Sequence, residues 1–314
     1  MSMKIPGLRI GHATDSEHHT GCTVFLCPEG TVASVDVRGP APGSRESALL
    51  RPDKPINDIN GIVLTGGSAF GLATADGVMR FLAEKGIGHY TPIRPIPLVP
   101  AAVVYDLFFS GYHPPTADMG YAACLDAQET NIEQGNVGAG AGVTVGKWGG
   151  FDNIIMKGGF GMASETVDDV VVSAAAVTNA VGDVVNKDGT MLAGAKRKDG
   201  GWMVDENPYR IFRGGPPTVV GTNTTLVVVA TNAKLTKVEA NRLAQRAHDG
   251  MAIAIRPAHT THDGDTAFAL ATSQVETDFD VIANVAVEMV AEAIRNGSRH
   301  AESVGPVLGL ASLR

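Results

Sequence analysis

The pattern that organises the chain is Val219-Val220-Gly221-Thr222-Asn223-Thr224-Thr225-Leu226-Val227-Val228-Val229-Ala230-Thr231-Asn232, a run rich in β-branched residues. Its β-branched residues predict a buried strand. Shorter runs predict further strands at Cys22–Cys27, Val32–Val37, Gly61–Thr65, Ile154–Ala163, Val170–Val177, Gly182–Val185 and Thr266–Thr272. The turn Pro28-Glu29-Gly30 joins the first two as an expected hairpin. Helical spacing of Phe70, Ala73, Val78, Phe81 and Leu82 predicts a helix capped by Ser68, running to about Lys85 and stopped by Gly86. Thr116–Gln128 reads as helical. Thr236 and Glu239 form a capping box that opens a helix through roughly His248, and Asp280–Arg295 reads as an amphipathic helix closed by Asn296-Gly297. Between these lie an extended Pro95–Pro100, a short apolar Ala101–Phe109, a glycine-rich loop or bent strand at Gly135–Lys147, and a linker-like Lys187–Pro217. Strands and helices stand on both sides of position 223, so the pattern predicts one layered α+β domain over residues 1–314.

Composition narrows the function classes. With 314 residues, 44% hydrophobic and 18% charged, the chain has enough apolar material for a large core and the balance of a soluble globular protein. A net charge of −8 and a pI near 5.6 argue against a nucleic-acid partner, and Lys196-Arg197-Lys198, the only basic run, reads as a solvated loop. No stretch of about 18 apolar residues offers a membrane span, and Met1 to Ile10 lacks the apolar core of a signal peptide, so a cytoplasmic protein is expected. Cys22, Cys27 and Cys124 read as buried thiols. The 38 glycines gather beside apolar runs, which points to closely packed backbones.

Three familiar chemistries fail on inspection. Gly66-Gly67-Ser68-Ala69-Phe70 has Phe70 where a nucleophile elbow needs glycine. Gly135 to Lys147 ends like a phosphate loop, but Ala141 replaces its first glycine and Trp148 its magnesium-binding hydroxyl. His259-Thr260-Thr261-His262-Asp263-Gly264-Asp265 contains metal-ligand types, yet no helix sets the two histidines on one face. No cofactor or metal is therefore expected. What remains is the crowd of small polar residues, Thr222 to Thr225, at the head of the main strand. Asn and Thr are ordinary turn and strand-edge residues. The alternative is a scissile Asn223-Thr224 bond, whose cleavage would give Thr224 a free α-amine to serve its own hydroxyl.

Several segments together carry a resemblance: Gly66 to Leu72, Val99 to Leu107, Gly135 to Lys147, Val177 to Val184, Asn223-Thr224-Thr225 and Asp263-Gly264-Asp265-Thr266. In this order they resemble the self-processing L-aminopeptidase/D-esterases, β-peptidyl aminopeptidases and 6-aminohexanoate-oligomer (nylon) endo-hydrolases, most closely the last. Other members carry serine at the Thr224 position or glutamates at the acidic pair. The resemblance implies an αββα sandwich cut into chains 1–223 and 224–314 that stay together as a homotetramer of cleaved pairs. It implies Thr224 as nucleophile with its freed amine as base, Asn179 as oxyanion donor and Lys147 as a positive charge nearby. It implies that Asp263 and Asp265 orient Thr224 and balance Lys147, and that Tyr105 lines the pocket. The implied substrates are linear amides such as 6-aminohexanoate oligomers, with β-amino or L-α-amino amides and short peptides as the alternative. Two rivals remain: an ornithine acetyltransferase-like acyl transferase, and an unprocessed binding protein on the same scaffold.

Overall fold

Strand alternation sorts the apolar side chains into three cores, and those cores separate four layers. The computed structural model describes residues 2–150, 154–212 and 222–313. The first half of the chain runs through β1 (Arg9–Asp15), β2 (Thr20–Leu26), β3 (Val32–Val37), β4 (Ser44–Arg45), β5 (Gly61–Thr65), α1 (Thr74–Glu84), β6 (Ala101–Val103), α2 (Leu107–Ser110) and α3 (Ala117–Asp126). It continues through β7 (Thr144–Val145), β8 (Met156–Lys157), β9 (Phe160–Val167), β10 (Val170–Asn179), β11 (Asp183–Val185) and β12 (Met191–Ala193). After residue 221 come β13 (Thr224–Ala233), α4 (Lys237–Ala254), β14 (Ile255–Arg256), β15 (Thr266–Val275) and α5 (Phe279–Arg299).

One five-stranded sheet has the order β1-β2-β5-β6-β4 and the other the order β3-β15-β13-β10-β9. Because side chains alternate across a strand, β13 sends Leu226, Val228 and Ala230 into the core between the sheets, where Phe25, Ile62 and Leu64 meet them. Its Val227 and Val229 point the other way, onto Leu243, Met251, Ile282 and Val290 of α4 and α5. On the far side of the first sheet, Val24, Leu26 and Val63 pack against Val78, Phe81 and Leu82 of α1 and Cys124 of α3. The layer order is therefore α1/α3, sheet, sheet, α4/α5, the expected α+β αββα sandwich. No helix among the described residues is long and apolar enough to cross a membrane.

The expected hairpin is not formed. β2 pairs with β1 and β5, whereas β3 pairs with β15 through Val37↔Thr266 in the other sheet. The Pro28-Glu29-Gly30 turn is thus a crossing between layers. Ser68 does not cap α1; it opens a short 3-10 turn, Ser68–Ala73, at φ +53°, and α1 follows at Thr74. The Thr236–Glu239 capping box is present, but α4 continues past His248 to Ala254. α5 begins after an Asp278 cap and runs through Asn296-Gly297 to Arg299. Gly297 is not a stop: a Cβ there would come 2.8 Å from Gly159 O, so the glycine lets α5 lie close on the sheet. The strand at the head of the main apolar run starts at Thr224; Val219 to Gly221 lie outside the described residues.

The register of the second sheet gathers the candidate residues. Asn179 at the end of β10 faces Thr224 at the start of β13, and Asn223 bridges Asp263, just ahead of β15. Three strand ends thus deliver their polar residues to one edge of the sheet.

Candidate active site

Thr224 is buried, and its Oγ1 donates to the carbonyl oxygen of Asn223 at 2.5 Å. The same oxygen accepts the Gly264 N–H at 2.8 Å. The bond between Asn223 and Thr224 therefore has a hydroxyl beside it and a backbone donor on its carbonyl. Glycine is needed at 264 because a Cβ would lie 2.7 Å from Thr224 Oγ1 and 2.6 Å from Ala41 O.

Asn179 is the hub of the site. Its Oδ1 accepts from Thr144 N at 3.1 Å and from Lys147 Nζ at 2.9 Å, while its Nδ2 donates to Tyr105 O at 3.0 Å and Thr222 O at 3.2 Å. That amide is engaged with two carbonyls, neither of them Asn223's. Lys147 Nζ also donates to Asn179 O at 3.1 Å. Burial pushes the Lys147 ammonium down to about 7, against the attraction of Asp263. With its proton affinity near neutrality, Lys147 can be both the positive charge the resemblance implies and a group able to give up a proton.

The two aspartates are held separately. Asp263 Oδ2 accepts from Thr260 N at 2.8 Å and Thr260 Oγ1 at 2.6 Å. Burial, then the charge of Asp265, pushes the Asp263 carboxyl up to about 6. Its buried Oδ1 has no partner among the described residues. Asp265 Oδ1 accepts the Thr225 N–H at 2.7 Å, and Oδ2 accepts from His259 N at 3.1 Å and His259 Nδ1 at 2.7 Å. Asp265 thus grips the residue after Thr224.

Tyr105 follows β6 and is half-buried. Its ring meets Phe108 edge-on, with centroids 5.5 Å apart, and with Phe70, Leu107, Tyr112 and Pro114 it lines a cavity of about 460 Å³. Its carbonyl, through Asn179, ties that cavity to Thr222.

Thr224, Asn179, Lys147, Asp263 and Asp265 are thus linked at one edge of the sheet, and Tyr105 joins them through its carbonyl; beside them stand Gly264, whose contribution is a backbone N–H, and His259 and Thr260, which hold the aspartates. The only sequence signal for them was the polar density of residues 259–265. Among the described residues no group of three or more His, Cys, Asp or Glu side chains is arranged to hold a metal ion. The cysteine thiols are pushed up to about 12, chiefly by burial, and are unsuited to nucleophilic work.

A buried hydroxyl against a polarised carbonyl, flanked by a lysine and a carboxylate both shifted toward neutrality, is equipped for acyl chemistry on an amide. Known proteins agree. The model of peptidase family S58 matches residues 3–310. An uncharacterised aminopeptidase of Mycobacterium leprae is 40% identical over 300 residues, covering 87% of this chain and 78% of its own. A 6-aminohexanoate-oligomer endohydrolase of Paenarthrobacter ureafaciens is 34% identical over 280 residues, covering 86% and 74%. Among solved structures, a Burkholderia sp. β-aminopeptidase aligns with a TM-score of 0.73 at 23% identity, over 98% of this chain and 90% of the other. The L-aminopeptidase D-Ala-esterase/amidase of Ochrobactrum anthropi, described as a variant of the Ntn hydrolase fold, aligns at 0.74 with 18% identity, over 96% and 86%. The fold is that of the Ntn hydrolases, and the chain belongs to peptidase family S58, hydrolases acting on amide bonds.

Proposed function

We propose that this hydrolase first cuts itself between Asn223 and Thr224 and then works as an N-terminal threonine amidohydrolase. The observation that carries this reading is the placement of Thr224 Oγ1 and Gly264 N–H on the Asn223 carbonyl. In the first stage Thr224 Oγ attacks the Asn223 carbonyl carbon, the C–N bond breaks, and an ester forms with a free Thr224 amine. Water then hydrolyses the ester to the Asn223 carboxylate and restores the hydroxyl. The Thr224 nitrogen is an amide at that stage and cannot be the base; Lys147 and Asp263, both shifted toward neutrality, are the buried groups able to take the hydroxyl proton. Once cut, the α-amine, which titrates near pH 8 when unperturbed, takes over as base for substrate. Freed from Thr222 by rearrangement of the new ends, the Asn179 amide can turn to the substrate oxyanion.

The substrates we propose are linear amides with unbranched methylenes on the acyl side, such as 6-aminohexanoate oligomers, carrying a free ammonium that the buried acidic pair attracts. The apolar cavity beside Tyr105 suits a methylene chain. A second reading, an aminopeptidase of short peptides, is favoured by the mycobacterial relatives, whose identity of 39–40% exceeds that of the endohydrolases. We further propose a homotetramer of cleaved pairs. The segment Gly214–Pro217, which the sequence suggests could strain the scissile region, lies outside the described residues.

The test is direct. Purified protein should run as two chains on a denaturing gel, with the smaller beginning Thr-Thr-Leu, and Thr224→Ala should remain uncut and inactive while Thr224→Ser keeps some of both activities. Hydrolysis by an uncut protein would sink the mechanism. Side-by-side assay of 6-aminohexanoate trimer, a β-alanyl amide and an L-alanyl amide sets the branch; a more than tenfold preference for the last selects the aminopeptidase reading, and acetyl transfer from N-acetylornithine to glutamate would replace both.

A further inference from the structure

The stretch His259-Thr260 has no part in the scheme above, yet each residue donates twice to one of the two aspartates. His259 gives Asp265 Oδ2 its N–H at 3.1 Å and its Nδ1 at 2.7 Å; Thr260 gives Asp263 Oδ2 its N–H at 2.8 Å and its hydroxyl at 2.6 Å. Four donors from two consecutive residues thus hold one oxygen of each carboxylate. The other oxygens are left for the site: Asp265 Oδ1 takes the Thr225 N–H, and Asp263 Oδ1 is buried without a partner among the described residues. The arrangement is held under strain. His259 sits at φ +55°, a left-handed conformation that a non-glycine residue keeps only where its surroundings fix it. One such constraint is the neighbouring His248, whose ring meets His259 edge-on at 4.8 Å while its Nε2 is 3.1 Å from Asp36 O. Facing a carboxylate, which only accepts, Nδ1 is the donor of this contact.

We propose that His259 and Thr260 form a two-residue clamp of positioning residues, orienting Asp265 so that its Oδ1 holds the Thr225 N–H and Asp263 so that its Oδ1 stays open to the site during self-cleavage and turnover. The inference rests on the proposed role of Thr224. Neither residue touches the reacting atoms; each acts through its aspartate. Side-chain donors to a carboxylate are strong enough that losing one should slow the reaction about 10- to 100-fold.

The experiment compares pairs of variants in the full chain: Thr260→Val with Thr260→Ser, and His259→Leu with His259→Asn. Serine keeps the hydroxyl, and the asparagine amide reaches the place of Nδ1. Self-cleavage is followed on a denaturing gel, and kcat and KM with whichever of the three amides the wild type cleaves fastest. The clamp predicts slowed cleavage and a kcat about 10- to 100-fold lower in the Val and Leu variants, KM within about twofold, and recovery of most of the rate in Ser and Asn. Loss of the Thr260 hydroxyl should also move the acid limb of kcat/KM to higher pH, because that hydrogen bond favours the ionised Asp263. The titratable groups around Asp263 are Asp265, Lys147 and, on its own loop, His259 and His262. If Thr260→Val does not fold, Thr260→Ala takes its place. Equal kcat in the Val and Ser variants, or in Leu and Asn, overturns the clamp. A wild type that neither cuts itself nor loses activity on Thr224→Ala instead overturns the parent reading.

Discussion

Replacing Lys147 by methionine should stabilise the protein while abolishing its chemistry. Burial moves the Lys147 ammonium from 10.5 to about 7. At about 1.4 kcal/mol per pH unit, holding this residue in the fold at pH 7 costs on the order of 5 kcal/mol relative to the unfolded chain. Methionine fills a similar space without a charge. Against that gain stand the lost hydrogen bonds to Asn179 O and Oδ1, about 1 kcal/mol each, and the loss of a countercharge for Asp263. Asn179 Oδ1 keeps Thr144 N–H and is not orphaned. The net expectation is a gain of about 2 kcal/mol at pH 7. Because a cut and an uncut chain cannot be compared fairly, both proteins should carry Thr224→Ala, and stability should be read by urea unfolding at several pH values. The sign of the pH dependence is fixed. A lysine whose folded value lies below its unfolded value binds fewer protons folded than unfolded between about 7 and 10.5, so stability rises with pH across that window. Lys157, also pushed down to about 7 by burial, contributes the same way and remains in the variant, so Lys147→Met should remove only part of the slope. A variant less stable than its parent at pH 7, with an unchanged slope, would show that Asp263 and Asn179 compensate the buried ammonium and would refute the argument.

Other outcomes can be checked beside it. Asn179→Ala should slow turnover by about two orders of magnitude if its amide serves the oxyanion, and a normal rate would remove it from that role. With Asp263 pushed up to about 6, kcat/KM should fall as pH drops through that value. The same shift makes the fold bind the Asp263 proton more tightly than the unfolded chain does, so its contribution to stability declines as pH rises from about 4 toward 6, and Asp263→Asn should flatten that decline in urea titrations. Light scattering of the cut protein should give four pairs; a single pair at micromolar concentration would overturn the tetramer.

The parts of this fold that were legible in the sequence are those whose cause is local. β13 could be read because its β-branched run is long enough to exclude a loop, and the start of α4 because Thr236 and Glu239 satisfy each other's backbone donors. Local pattern is silent where a distant partner decides. Nothing near Pro28-Glu29-Gly30 shows that β3 will pair with β15 more than two hundred residues away. Nor does anything near Gly297 show that Gly159 will need the space where a Cβ would stand. The alternation of β1 is broken by His12, a buried histidine whose Nδ1 lies 2.9 Å from Thr23 Oγ1. In the site, side chains of distinctive type stood out, whereas the Gly264 N–H and the Tyr105 carbonyl did not, since backbone groups are the same in every residue.

The position of Thr224 in the sheet explains why such chemistry could be placed there at all. β13 lies between β10, antiparallel, and β15, parallel, and the ladder to β15 begins at Leu226 while that to β10 includes Thr224 itself. A break before Thr224 would therefore leave the new terminus held on one side by Asn179's strand and gripped at Thr225 by Asp265. The ten residues of β13 stay buried between two cores, at roughly 1.5–3 kcal/mol for each large apolar side chain. A chain beginning at Thr224 could not leave without unfolding the sheet. A surface loop could be cut as easily, but its new end would move away from the carbonyl and would not retain the Lys147 and Asp263 environment that shifts proton affinities toward neutrality. Heading a central strand would keep the hydroxyl, the freed amine and their partners in register if the proposed cut is made.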